Sequence, residues 1–416
     1  MILLNNVVNI IMGQSPKSST YNEEGEGLPF YQGKAEFGEN CPTPVKWCSK
    51  PGKIAEKGDV LISVRAPVGP TNICQEKSCI GRGLAAVRPL GGMPTQYLRY
   101  WLSTKHHELE IKSTGTTFKA ISGDTLRNLE INLHPLPEQK RIVAKIESLF
   151  SRLDSAKDSL VRVRAEIKRY RQSVLKSAFE GELVGYQDKW DFCPIGKVAR
   201  IISGKAFKKS EYAKLGVRLF QIANVTFGKT SWREIVYLPQ RYISKYTNLN
   251  LKSGDLVLAL NRPLLGDDLK IAILKNEDVP AILYQRVGKF EFFDSKNRDW
   301  LFYYFQTSDF INWLKKELKG VNIPFINQTK ILKHVIPLPD YKEQSQIIAI
   351  INSCFDQAQV LDDMVEQGLD KIERLKQSIL KKAFEGKLVE SDPNDEPVEV
   401  LLERIKKEKA KLKPSR

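Results

Sequence analysis

The chain has 416 residues, 42% of them hydrophobic, and a formal net charge of +16. That length allows two or three domains, each with its own core, and no run of about 18 apolar residues offers a membrane-spanning helix. The charge points to a polyanionic partner, and no basic tail accounts for it, since residues 186–339 carry +11 and residues 340–416 carry −2.

Residues 1–136 open on MILLNNVVNIIMGQ, which is apolar but has neither a basic flank nor a small-residue cleavage site, so no signal peptide is expected. Short β-like runs follow (VLISVRA, LAAVRP), broken by Gly, Pro and Asn. The segment closes on aromatic-rich QYLRYWLSTKHHELEIK, which reads as helix, so the expectation is an α+β domain. Cys41 and Cys48 are separated by six residues and Cys74 and Cys79 by four, whereas zinc knuckles prefer two to four. No metal is expected, and the six unevenly spaced cysteines read as reduced cytosolic thiols.

Residues 137–185 predict one long helix. Ile142, Ile146, Leu149, Leu153, Ala156, Leu160, Val163, Ile167, Tyr170 and Val174 alternate at spacings of four and three, a heptad stripe. Pro137 suits the first helical position, and Gly181 suits the stop.

Residues 186–339 repeat the α+β pattern, with strand-like DLVLALN and KIAILK and a closing helical piece, DWLFYYFQTSDFINWLKKELK. NIPF at Asn322–Phe325 has a superficial likeness to the Asn/Asp-Pro-Pro-aromatic motif of amino-methyltransferases. Isoleucine replaces the first proline, no Gly-rich cofactor loop accompanies it, and it aligns with TFKA at Thr117–Ala120, so it reads as a turn.

Residues 340–390 predict a second long helix, and it repeats the first. QSVLKSAFEGELV from Gln172 and QSILKKAFEGKLV from Gln377 share ten of thirteen positions. Shifting the first stripe by 205 gives Ile347, Ile351, Cys354, Ala358, Leu361, Val365, Gly368, Ile372, Leu375 and Ile379, with Gly368 a flaw of about 1 kcal/mol against alanine. The echo extends upstream: PLPEQKRIV answers PLPDYKEQSQII, KGDVLISVR answers SGDLVLALN, and Gly13 answers Gly204. Residues 391–416 read as a polar linker and a short amphipathic helix, a docking or solvated tail rather than part of a core.

The two long helices are expected to pair, through Ile146, Leu153, Leu160 and Ile167 on one and Ile351, Ala358, Val365 and Ile372 on the other. Between 151 and 176 the first carries eight Lys/Arg against three Asp/Glu, and between 356 and 381 the second carries four against six, which favours hetero-pairing. A pseudo-two-fold repeat makes that pairing antiparallel, and a helix of about 40 residues spans roughly 60 Å.

No catalytic constellation stands out. No Gly-rich phosphate loop with Gly-Lys-Ser/Thr is present, and His106, His107, His134 and His334 have no metal-like spacing.

The plan of two diverged halves, each followed by PLPEQ-type, heptad and LK-x-AFEG-x-LV segments, resembles the specificity subunits of type I restriction–modification enzymes over nearly the whole chain. IIMGQSPKSSTYNEEGEGLPFYQGKAEFGE, KWCSKPGKIAEKGDVLISVRAPVGPTNI and IGRGLAAVRP look like one version of their target-recognition domain, and WDFCPIGKVARIISGKAF resembles the opening of the second. The first half lacks the Trp and the Leu/Ile-Gly pair seen at Trp190, Ile195 and Gly196, so its opening strand is expected to be shorter. The resemblance implies that each half reads one part of a split DNA target and that the helices set the gap. It implies a non-catalytic, cytoplasmic chain without a cofactor of its own. Two modification subunits would carry S-adenosylmethionine, and restriction subunits would use ATP and magnesium. Candidate DNA contacts, chosen by position in Gly-adjacent or repeat-matched loops, are Lys17, Lys34, Arg65, Arg82 and Lys119, then Lys205, Lys208, Lys209, Arg262 and Arg286. The alternatives are the specificity partner of a related two-half restriction system, an adenine methyltransferase, and a coiled-coil scaffold with no DNA partner.

Overall fold

The computed structural model describes residues 2–115, 119–184 and 190–412. They form two compact units, Met1–Leu160 with Gln367–Arg416, and Val161–Glu366. Each unit therefore holds one α+β domain and a stretch of both long helices.

In the first unit a four-stranded antiparallel sheet runs in the order Val8–Met12, Leu84–Pro89, Val60–Ser63, Thr71–Ile73. A second, five-stranded sheet contains the parallel pair Leu28–Tyr31 and Ser78–Ile80, with Phe30 opposite Cys79. The unbroken apolar run at Val60–Ser63 follows from this layering. Val60 and Ile62 face one buried cluster and Leu61 the other, so both faces of the strand are covered.

The second unit is built the same way. Its antiparallel sheet runs Ala199–Ser203, Val287–Phe292, Leu256–Ala259, Ile271–Ile273, and its other sheet contains the parallel pair Val217–Phe220 and Ala281–Leu283. Leu256 and Leu258 face one cluster and Val257 the other.

The opening strand of the first half is indeed the shorter, Ile2–Leu3 against Asp191–Pro194. One expectation needs correction. Ile2 pairs with Ile131 as Cys193 pairs with Ile336, which sets Leu4 in the place of Ile195, and both are fully buried. The apolar member of the pair is present, and only its glycine is replaced, by Asn5.

The long helices are Leu136–Phe179 and Tyr341–Phe384, 44 residues each. In the first unit Asp154 accepts from Lys376 at 2.6 Å and Lys157 lies 3.8 Å from Glu373. In the second, Arg164 pairs with Asp362 at 3.2 Å and Glu366 at 2.7 Å, and Arg171 donates to Gln359 at 3.1 Å. Partner numbers fall as the first helix advances, so the pairing is antiparallel in each unit. The pairs of Lys157 and Arg164 have the sense of the charge imbalance between the two helices, and the pair of Asp154 with Lys376 runs against it. Ile146, Ile167, Ile351, Ala358, Val365 and Ile372 are buried, and Leu153 and Leu160 are half-buried. Gly368 has a packing reason: a Cβ there would lie 2.8 Å from Leu160 Cδ1. The alternate heptad positions Val163, Tyr170 and Leu361 are exposed, as are Val161, Val360 and Met364 nearby. Two helices alone shield only a narrow seam.

The tail departs from expectation. Residues Val398–Leu412 form a helix whose Leu401 and Ile405 are buried in the core of the first unit. Glu408 accepts from Gly91 N at 2.7 Å, Lys409 donates to the carbonyls of Asn5 and Val8, and Arg141 holds Asp395 at 2.6 Å. The apolar stripe was visible in the sequence, but not the surface it covers. Ile405→Ala is expected to cost the first unit about 2–5 kcal/mol, the usual range for emptying a packed isoleucine site. Chemical denaturation with hydrogen exchange on residues 84–90 measures it, and an unchanged unfolding midpoint and unchanged exchange would contradict the assigned packing.

Candidate nucleic-acid interface

Main-chain hydrogen bonds fix the loops at one edge of the first unit. Gly13 N and Gln14 N donate to Leu84 O and Ile80 O at 2.9 and 3.0 Å, and Gly81 N donates to Tyr31 O at 2.8 Å. Val64 N reaches Gly83 O at 2.9 Å, Ala66 N reaches Lys119 O at 2.9 Å, and Ile121 N reaches Val64 O at 3.0 Å. The result is an open depression of about 720 Å³ lined by Gln32, Lys34, Arg65 and Arg82 among others. Three of the five candidates in this half thus line one surface. The remaining two border it: Lys119 by its carbonyl bond, and Lys17 two residues after Ser15, whose hydroxyl accepts from Arg82 N at 3.5 Å.

The second unit repeats the frame. Gly204 N and Lys205 N donate to Val287 O and Leu283 O, both at 3.4 Å, and Tyr284 N donates to Phe220 O at 3.0 Å. Leu260 N reaches Arg286 O at 2.8 Å, Arg262 N reaches Pro324 O at 2.6 Å, and Ile326 N reaches Leu260 O at 3.0 Å. Gly13 and Gly204 are glycine for one reason. A Cβ would fall 2.1 Å from Gly81 O in the first and 2.2 Å from Tyr284 O in the second.

Matching bonds define matching stations, and different side chains occupy them. Gln14 corresponds to Lys205, Arg65 to Asn261, Ala66 to Arg262, Arg82 to Gln285, Gly83 to Arg286 and Lys119 to Pro324. Lys17 with Lys208, Arg65 with Arg262 and Arg82 with Arg286 fall on matching loops, whereas the loops that answer those of Lys34 and Lys119 carry no candidate in the second unit. NIPF is a turn, as expected: it runs from the bent tip of a hairpin to the bridge that closes it, where Lys319 and Phe325 exchange bonds of 3.0 and 2.8 Å. Of its repeat partner, Thr117 and Phe118 lie outside the described residues, while Lys119 and Ala120 take the bonds of Pro324 and Phe325.

Around Lys205 the structure adds residues that sequence reasoning missed. Its ammonium lies 5.1 Å from the Tyr246 ring, with Lys245 at 5.5 Å from the same ring. Lys208 and Lys209 belong to a turn closed by the Glu211 carboxylate, which accepts from Lys208 N at 2.7 Å. That bond holds the Glu211 carboxyl below its ordinary range. The alternation of lysine and tyrosine in YISKY was the available signal. Asn261 and Gln285 had none, because only the bond pattern equates them with Arg65 and Arg82.

Among the described residues none of the ten candidates forms an ion pair, whereas Arg88 is held bidentate by Asp59 at 2.8 and 2.9 Å. Unpaired cations on an edge built from backbone suit phosphate oxygens and base edges. Arg262 and Arg286 have φ of 45° and 70°, and they alone do so among the described residues other than glycine. Each costs about 1 kcal/mol, strain of a kind that concentrates at functional positions.

Among the described residues no group of His, Cys, Asp or Glu has the arrangement of a metal site. Burial pushes the Cys74 thiol up to about 11 and the Cys79 thiol up to about 12, so both stay protonated at neutral pH. Burial also pushes His334 down to about 4, where it packs on Trp313 and Tyr304.

The family model for the type I restriction modification DNA specificity domain matches residues 1–163 and 187–364. The type I restriction enzyme MjaVIII specificity subunit of Methanocaldococcus jannaschii is 37% identical over 308 residues, 71% of each chain. The EcoBI specificity subunit of Escherichia coli is 23% identical over 447 aligned positions, covering 98% of this chain and 92% of its own. A solved chain from work on complex assembly and conformational transition of the type I R-M system shares the fold, with a TM-score of 0.70, 21% identity, and coverage of 93% of this chain and 97% of its own.

The strained arginines separate stability from binding. Arg286→Gly is expected to stabilise the fold by up to about 1 kcal/mol, because glycine adopts φ of 70° without penalty. The same change is expected to weaken specific DNA binding about tenfold or more. Thermal unfolding and salt-titrated binding measure the two effects, and a variant that binds as before would remove Arg286 from the interface.

Proposed function

The chain belongs to the family of type I restriction–modification DNA specificity subunits, and from that membership we propose that it reads a DNA target in two separate parts, one with each reading domain. The observation that carries this is the backbone frame built twice with different side chains at matching stations. Two readers of one duplex need the same reach toward the bases and different recognition groups. Arg65 and Arg82 suit guanine O6 and N7, while Asn261 and Gln285 at the same stations suit adenine N6 and N7. The lysines, including Lys17, Lys34, Lys208 and Lys209, neutralise phosphates and set the register.

The chain supplies the address and its partners the reaction. Adenine methylation belongs to two modification subunits carrying S-adenosylmethionine, and cleavage to restriction subunits using ATP and magnesium, all in the cytoplasm. The repeat supports two equivalent docking sites. Ser173, Lys176 and Glu180 are exposed, and so are Ser378, Lys381 and Glu385, identical in type at each matched position. In both copies the Lys–Glu pair stands at 3.9 Å. Identity at solvent-facing positions, in halves that have otherwise diverged, has no packing cause. The exposed Val161, Val163, Val360, Leu361 and Met364 add an apolar strip on the paired helices suited to further helices.

Exchanging residues 186–339 for those of another family member tests the two-part reading. Mapping of methylated sites in cells carrying the exchanged chain and its modification partner is expected to show one part of the target changed and the other retained. A simultaneous change in both parts would defeat the proposal. Native mass spectrometry of the co-expressed complex is expected to show two modification subunits per chain, and a one-to-one assembly as the sole species would rule out equivalent docking sites.

A further inference from the structure

The hairpin that carries NIPF has an exposed apolar face for which the core has no use. Val321 is 97% exposed, Ile323 44% and Phe325 41%; the first two lie in the bent tip of the hairpin and Phe325 in the bridge that closes it. The base of the hairpin is fixed by main-chain bonds. Lys319 and Phe325 exchange two backbone bonds, and Arg262 N donates to Pro324 O at 2.6 Å. Leu260 ties the hairpin to the second strained loop, donating to Arg286 O and accepting from Ile326 N. The apolar tip thus stands beside Arg262 and is linked through Leu260 to Arg286, the two arginines whose backbones are held in the left-handed region.

Single exposed apolar residues are ordinary, but several at one hairpin tip beside cations without a carboxylate partner are not. A protein partner would meet two guanidiniums that, among the described residues, have no carboxylate of their own. DNA satisfies both features, with phosphates or base edges for the arginines and stacked bases for the apolar side chains.

We propose that this hairpin is a wedge. Val321 and Ile323 enter the base stack at the part of the target read by the second domain and open one base step there, while Arg262 and Arg286 hold the flanking duplex. The proposal rests on the two-part reading above. Apolar side chains inserted between base pairs unstack them and bend the duplex, and enzymes that modify a base must first take it out of the stack. The chain that reads the address would thereby prepare the site for the subunit that methylates it.

The test uses the complex of the full chain with its modification subunit and duplexes bearing the target found by methylation mapping, with 2-aminopurine placed in turn at each position of the second part. The wild-type complex is expected to raise 2-aminopurine fluorescence several-fold at one step. Val321→Ser combined with Ile323→Ser, both at exposed positions, is expected to abolish the rise and to lower affinity for the intact duplex about tenfold. Affinity for a duplex already abasic at that step should change by less than about twofold, since nothing remains there to unstack. Val321→Leu with Ile323→Leu should restore both readouts. A wild-type complex that protects both parts of the target without any fluorescence rise would overturn the wedge and leave the two-part reading intact. A serine variant that retains the rise would overturn the wedge equally. Failure of the wild-type complex to protect two separated parts would overturn both.

Discussion

The loops that carry the candidate DNA contacts are held in place mostly by main chain bonded to main chain. The loop from Gly13 lies against Leu84 and Ile80, and the loop from Gly204 lies against Val287 and Leu283, at distances that leave no room for a Cβ. Backbone bonds are indifferent to the side chains that project from them. Arg65 and Asn261, or Arg82 and Gln285, exchange chemistry at a fixed position without disturbing the fold. A scaffold whose edge was held by side-chain packing would have to be repacked for each new target.

The long helices follow a different rule, because their sequences must recognise each other. One residue per heptad on each helix makes the seam, buried at Ile146, Ile167, Ile351, Ala358, Val365 and Ile372 and half-buried at Leu153 and Leu160, and the ion pairs of Arg164 with Asp362 and Glu366, and of Lys376 with Asp154, flank it. Exposed pairs of this kind add little stability, but they disfavour pairing of like with like. Gly368 belongs to the same fit, giving helix propensity away so that Leu160 can sit against it. Identity has survived in the repeat where a surface faces outward, at Lys176 and Lys381 or Glu180 and Glu385, and has lapsed at the loops that carry the candidate contacts.

How much of this was legible in the sequence depends on the range of the interaction. The helices, their register and their direction came from a stripe and a repeat, which are local signals copied twice. The layered sheets were legible in kind, since VLISVRA and DLVLALN are too evenly apolar for strands with a wet face, but the parallel pair in each unit left no mark. Leu4 was not matched to Ile195, because only the pairing of Ile2 with Ile131 shows the register at which it enters the core. The candidate cations were found by their proximity to glycine, and Lys245, Asn261 and Gln285 were missed because long-range bonds alone place them. The apolar tip around NIPF read as a turn, and its exposure is a property of the folded chain.

The helix at Val398–Leu412 bears on how the molecule is made. The first unit draws on residues 1–160 and on residues 367–416, so the half that leaves the ribosome first stays unfinished while the whole of the second unit is synthesised. Residues 161–366 form one continuous stretch and have all their core partners once that stretch has emerged. The usual order of cotranslational folding, N-terminal domain first, is reversed. Leu401 and Ile405, with Leu380 and Ala383, close a core whose remaining members, Leu4 to Ile146, were translated more than two hundred residues earlier, so the nascent chain holds an apolar surface open until the helix at Val398–Leu412 arrives to cover it.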